Sequence, residues 1–365
     1  MREKQKVFRG ALLGLAVGDA MGSAVDKKTL AEICNDYGPN GLLGYDLASG
    51  YAEVSSYTQL AAFCANALLL GLTRRQVQNR SIPLVRYVGV ALREWSRSQQ
   101  YSAPERNYCW LSSEPELKRR RCMDTRMLDA LSRESLGTPE SPVYRNNHPS
   151  ALTAVIPAAL LGSILEIEPD EVDLLGAQIV ALTHGDPQTF ICGAVLTHAM
   201  RTLSSQPNIP PEALLQDTVD AISLQFGRQF GGCSHIWELF QMAKIFAESD
   251  SLSPSDAMER LGCRTAPEVL AGVLYSLLTC RGDFDVAMIT AVNHSGRSAA
   301  VAAITGAILG LHLGEDALPD FYMEGLEPTA LLREIADDLS QVGVIHQRSR
   351  LYDDDWDRKY LHANF

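Results

Sequence analysis

The sequence has no apolar run long enough to cross a bilayer, no C-x-x-C cysteine pair, no long basic tract and little strand-like alternation. Its longest apolar stretch, Ala151–Leu165, contains Pro157 and falls short of the ~20 residues that a membrane span needs. The eight cysteines lie no closer than the thirteen residues between Cys109 and Cys122. That spacing excludes a zinc ribbon and fits buried thiols in a reducing compartment. With 32 basic against 44 acidic residues the formal charge is −12, so neither nucleic acid nor an anionic membrane surface is an expected partner. The G-x-S-x-G elbow, the Walker loop and H-E-x-x-H are all missing. The segment after Met1–Lys6 has the outline of a signal sequence, but Arg9 and Asp19 interrupt it. The expectation is a cytoplasmic protein that keeps this segment.

What is present is helical. Glu168-Pro169-Asp170-Glu171, Ile209-Pro210-Pro211-Glu212, Ser253-Pro254-Ser255-Asp256 and Thr265-Ala266-Pro267-Glu268 each place proline and carboxylate in a first turn. There a missing N–H does no harm and the helix dipole favours negative charge. Apolar residues then recur at three and four spacing, as in Val172, Leu175, Ile179 and Leu182. The fold class predicted is all-α, a single domain over residues 1–365. Residues 94–149 are the least regular part, read as a solvated face and long connection, and the cluster Lys118-Arg119-Arg120-Arg121 within them as surface charge, with contact to an anionic ligand as the alternative.

Two helices carry small residues every fourth position: Gly10, Gly14, Gly18 and Gly22, and Ser298, Ala302, Gly306, Gly310 and Gly314. Each helical glycine costs about 0.5–1 kcal/mol relative to alanine. Close backbone approach to another helix, or to a ligand, is the compensation expected, and the two stripes are candidates to cross one another at the centre.

The same residues carry a resemblance. Gly10–Gly22 (GALLGLAVGDAMG) resembles the opening helix of the ADP-ribosylglycohydrolase family, in particular its dinitrogenase reductase-activating group. Tyr37-Gly38-Pro39-Asn40-Gly41, Thr58-Gln59, Leu182-Thr183-His184-Gly185-Asp186-Pro187, Ala291-Val292-Asn293 and Ala302–Ala307 continue it in the family's order, over roughly residues 8 to 320. The resemblance implies a compact orthogonal helical bundle with the active site between central helices. It also implies two magnesium ions held by a T-D-D-T segment and a G-D-[ST]-D-T segment, which orient ADP-ribose and a water beside the scissile bond.

This sequence departs at those segments. Ser55, Ser56 and Tyr57 precede Thr58 where Thr-Asp-Asp is expected, and Gly296-Arg297-Ser298-Ala299-Ala300 stands for Gly-Asp-Ser-Asp-Thr. Neutral hydroxyls hold magnesium poorly, so no metal cofactor is expected. Asp26 stands where the family has a glutamate. The family's glycine-rich phosphate loop corresponds to Arg145–Leu152, with Asn147 at its asparagine and Ser150 at its small residue, and His184 matches the family's Thr-His. Arg297 is read as filling the space of the metals, paired with Asp19 or Asp26 or gripping a phosphate.

The expected ligand-binding residues are therefore Ser55, Ser56, Thr58, Asn147, His184, Asn293, Arg297 and Ser298, with Asp26 and Asp19 as candidate catalytic carboxylates. Three functions are compatible with this pattern. One is a pseudoenzyme that binds ADP-ribose or a related nucleotide. Another is a metal-free hydrolase using Asp26 or Asp19 with Arg297. The third is a structural or partner-binding protein with a collapsed cleft, filled by Tyr57 and sealed by an Arg297 ion pair.

Overall fold

The computed structural model describes residues 2–78, 82–100, 108–121, 124–231, 233–347 and 354–361; Cys122 lies outside them. The first half of the chain forms α1 (Arg2–Ser23), α2 (Leu30–Tyr37), α3 (Ser56–Val77), α4 (Leu84–Gln99), α5 (Pro115–Lys118), α6 (Thr125–Ser132), α7 (Ile156–Gly162), α8 (Pro169–Ala181) and α9 (Pro187–Ser205). The second half forms α10 (Pro211–Phe230), α11 (Cys233–Ala247), α12 (Pro254–Leu261), α13 (Ala266–Thr279), α14 (Phe284–Val292), α15 (Ser298–Leu313), α16 (Asp320–Met323), α17 (Thr329–Gln347) and α18 (Asp354–Tyr360). Among the described residues there is no strand, only an isolated bridge between Ala52 and Leu326. The fold is all-α. The proline-marked starts fall where the sequence predicts them, at Pro169, Pro211, Pro254 and Ala266.

The two glycine stripes meet. A Cβ on Gly14 would lie 2.1 Å from the Gly306 carbonyl oxygen, one on Gly10 2.2 Å from that of Gly310, and one on Gly18 1.9 Å from that of Ala302. At the far end a Cβ on Gly22 would lie 2.6 Å from the Cα of Ala299. The order of these contacts makes α1 and α15 antiparallel, backbone against backbone, with nearly every flanking residue buried. The compensation for the helical glycines is thus dispersion contact over the whole length of two helices.

The polar residues in α1 have defined partners. Arg9 forms a two-pronged bond to Asp337 on α17, Nε to Oδ1 at 2.6 Å and Nη2 to Oδ2 at 2.5 Å. Asp19, fully buried, faces the start of α3. The pairing of α1 with α15 therefore carries the C-terminal end of α1 to the N-terminal end of α15, and Asp19 brings the start of α3 to the same place.

Residues 94–149 are more than a solvated face. Leu111, Leu117, Met127, Ala130 and Leu131 are buried against the core. The basic cluster is tied down as well: Arg119 pairs with Glu53 and Glu327, both at 3.1 Å, and Arg121 pairs with Glu53 at 2.6 Å. These long-range pairs could not be read from local spacing.

Gly306→Val places branched carbons where the Gly14 carbonyl stands, and should cost about 3 kcal/mol or more in denaturant unfolding. A loss below about 1 kcal/mol would show that the helices separate easily.

Candidate ligand-binding cleft

Three helix starts converge on one open cleft of about 820 Å³. Its lining includes Ser55, Ser56 and Tyr57 from the start of α3, Asp124–Arg126 from that of α6, and Arg297 and Ala299 from that of α15. Asp26 and Lys27 close one side, and Asn146, Asn147, His148 and Ser150 contribute from the chain leading into the 3-10 turn Pro149–Val155.

Each helix start is held by a carboxylate. Asp19 accepts four hydrogen bonds: from Ser55 N at 2.8 Å, Ser55 Oγ at 2.5 Å, Thr58 N at 3.0 Å and Thr58 Oγ1 at 2.6 Å. Burial pushes its carboxyl up and these four donors pull it back, leaving it raised. Asp26 accepts from Ala299 N at 3.3 Å, in the first turn of α15, where the helix dipole favours it. Asp124 caps α6 through Oδ1, accepting from Arg126 N at 3.0 Å and Met127 N at 3.1 Å.

Arg297 Nη1 lies 3.9 Å from Asp26 Oδ2, too far for a hydrogen bond, and its side chain is 30% exposed. The guanidinium makes no hydrogen bond among the described residues and lines the cleft. Burial raises the Asp26 carboxyl, and the charge of Arg297 opposes this only in part. Lys27, next in sequence, adopts φ 74, a left-handed backbone that is strained for lysine.

A second polar group lies behind the phosphate-loop segment. Asp124 Oδ2 accepts from Ser150 Oγ at 2.6 Å and Asn146 Nδ2 at 3.2 Å, and lies 3.1 Å from His184 Nε2 and 3.7 Å from His148 Nδ1. Burial pushes the Asp124 carboxyl up, but hydrogen bonds from His184 and Ser150 outweigh it and hold the group well below the usual range. His148 accepts from Ser150 N at 3.2 Å. Burial drives its pKa down to about 4, so its ring is neutral at physiological pH.

Among the residues expected from the sequence, Asp26, Ser55, Ser56, Asn147 and Arg297 line the cleft. Asp19 and Thr58 lie one layer beneath it, bonded to each other. His184 is fully buried behind Asp124 and Ser150. Asn293 is spent on the chain itself, accepting from Leu42 N at 2.8 Å and donating to Leu42 O at 2.9 Å and Ile289 O at 2.8 Å. That clamp holds Gly41, whose added Cβ would meet the Asn293 oxygen at 2.0 Å. Ser298 turns back to donate to His294 O at 3.3 Å. Sequence reasoning missed Asp124 and His148. An N-cap aspartate before Met127, Leu128 and Leu131 was there to find, but its convergence with both histidines was not.

The cleft's charge is unlike that of the chain. Five cations, Lys27, Arg120, Arg121, Arg126 and Arg297, line it with four carboxylates, Asp26, Asp46, Glu53 and Asp124. Asp26 and Asp124 also cap helices and Glu53 holds Arg121.

A sequence profile described as ADP-ribosylglycohydrolase matches residues 2–348. No curated protein matches the sequence. A solved chain from an ADP-ribosylglycohydrolase-related protein complex is similar at a TM-score of 0.58 and 21% identity, covering 94% of this chain and 100% of that one.

Asp19→Ala leaves two buried N–H groups and two hydroxyls of α3 without their acceptor, and should cost about 3 kcal/mol in stability. An unfolding free energy unchanged within 0.5 kcal/mol, roughly the scatter of a neutral surface substitution, would show that Asp19 does not hold α3.

Proposed function

The chain belongs to the ADP-ribosylglycohydrolase family, and from that premise we propose that its cleft binds ADP-ribose or a related nucleotide without the family's pair of magnesium ions. The observation that carries this reading is the Arg297 guanidinium, which lines the cleft with no side-chain hydrogen bond among the described residues, where five cations meet four carboxylates in a chain of net charge −12. A planar fork of donors suits a pyrophosphate.

The donor set does not suit paired magnesium ions. Hard divalent cations require several free oxygen ligands, mostly carboxylates. Asp19 is fully buried and takes four protein donors, three on Oδ2 and one on Oδ1. Ser55 and Ser298 offer only neutral hydroxyls, the first already accepting from Tyr57 N at 3.3 Å. Of the positions compared with the family's site, Asp26 remains, with a guanidinium 3.9 Å away. Arg297 supplies positive charge in place of the ions, and the chain becomes a binding protein on a hydrolase scaffold.

A second reading, metal-free hydrolysis, is favoured by one observation. Asp26 lines the cleft with its carboxyl raised by burial, toward the proton affinity that a general base needs. Asp19 is unsuited to that role because it is fully buried beneath the cleft and bonded to the start of α3.

In calorimetric titration with ADP-ribose in EDTA, wild-type protein should bind and Arg297→Ala should bind about tenfold or more weakly. Equal affinities would remove Arg297 from the site, and binding only when magnesium is added would overturn the metal-free reading. Release of ADP-ribose from an ADP-ribosylated protein in EDTA tests the second reading. It should vanish in Asp26→Asn and, in wild type, fall as pH drops through the raised Asp26 pKa, because a protonated carboxyl cannot accept the water's proton. No release at any pH would sink it.

A further inference from the structure

We propose that Asp124, His148 and His184 form a binding site for a zinc-type divalent transition metal, with one coordination position open to the cleft. The group uses none of the positions at which the family resemblance implies magnesium, and its donors are of a different kind. Two imidazoles and one carboxylate suit zinc and its neighbours, whereas magnesium takes oxygen.

The three residues come from separate segments: the N-cap of α6, the residue before the Pro149–Val155 turn, and the loop after α8. One ligand atom from each lies within 4.8 Å of the others. Bonds of 2.0–2.1 Å to a tetrahedral ion place ligand atoms about 3.3 Å apart. Asp124 Oδ2 lies 3.1 Å from His184 Nε2 and 3.7 Å from His148 Nδ1, so the ligands stand near coordination distance with little rearrangement. The Ser150 hydroxyl, 2.6 Å from Asp124 Oδ2 and 2.9 Å from His184 Nε2, is a weak neutral donor that can rotate away or complete the shell.

The surroundings orient these ligands as metal sites require. The Thr183 hydroxyl lies 2.7 Å from His184 Nδ1. Without the ion, Nε2 carries the proton toward Asp124 Oδ2; on coordination the ring takes the Nδ1–H tautomer with the hydroxyl accepting, and the Nε2 lone pair goes to the ion. Asp124 is anchored through Oδ1 by two backbone N–H groups of α6, which leaves Oδ2 aimed at the histidines. Coordination through His148 Nδ1 displaces its 3.2 Å bond from Ser150 N, one neutral hydrogen bond given up for a metal bond.

The ion has a path in. His184 is fully buried, but Asp124 and His148 line the cleft and His148 is 25% exposed. The remaining position would take a water, or a phosphate or carboxylate oxygen from whatever occupies the cleft. This site does not depend on the nucleotide reading, since the ion alone is the probe.

Protein stripped with EDTA and desalted is titrated with zinc by calorimetry and with cobalt(II) by visible absorption. The expected result is one equivalent of zinc bound at about micromolar affinity or tighter, and cobalt bands of a four- or five-coordinate nitrogen–oxygen site. Affinity should fall about 100-fold or more in His184→Ala. Because His184 is buried, the partly exposed His148→Ala is the companion variant, checked for native circular dichroism, and it should weaken binding and alter the cobalt spectrum. No zinc binding by wild type, equal binding in His148→Ala, or a near-ultraviolet thiolate-to-cobalt band placing the ion on cysteine would each overturn the proposal.

Discussion

The architecture depends on the contact of two glycine-striped backbones. In α1 and α15, positions four residues apart are reduced to glycine, alanine or serine, so that the helices approach until one's carbonyls touch the other's Cα atoms. The intrinsic cost of the helical glycines is recovered only if the match persists along the whole length. That fixes register as well as direction. The end of α1 with Asp19, and the turn after it with Asp26, are held beside the start of α15, with Arg297 and Ala299, and the cleft lies at that junction.

Around it, acidic side chains hold the scaffold. Asp19 secures α3, Asp26 the first turn of α15, and Asp124 that of α6. A carboxylate committed to backbone N–H groups at a helix start is stabilised where it stands, and gives up lone pairs that a magnesium ion would need. On the proposed reading, Arg297 takes over the positive charge, at a distance from Asp26 that leaves its hydrogen-bonding edge for a ligand. On that same reading the cation and the missing ligand oxygens go together, because an arginine beside bound magnesium ions would be repelled by them.

Much of the fold was legible because it is written in local spacing. Proline and carboxylate mark helix starts, and the fourfold glycine recurrence shows two helices meant for close approach. The motif order supports the family. The site was legible only where a residue's role follows from its own segment. Asp26, Ser55 and Arg297 reach the cleft as expected, whereas Asn293 is turned onto Leu42 and Ser298 onto His294 by backbone geometry that spacing does not reveal. Asp124, His148 and His184 escaped notice as a group because sixty residues separate the first from the last, and only tertiary packing joins them. The ion pairs of Arg119 and Arg121 were hidden for the same reason, since their partners Glu53 and Glu327 lie far away in sequence.

The most direct test of the account is a crystal structure of the protein grown with ADP-ribose in EDTA. The account predicts a bound ligand whose pyrophosphate lies within hydrogen-bond distance of Arg297, between the starts of α3 and α15. A cleft that stays empty at saturating ligand, or a ligand whose phosphates avoid Arg297, would contradict it.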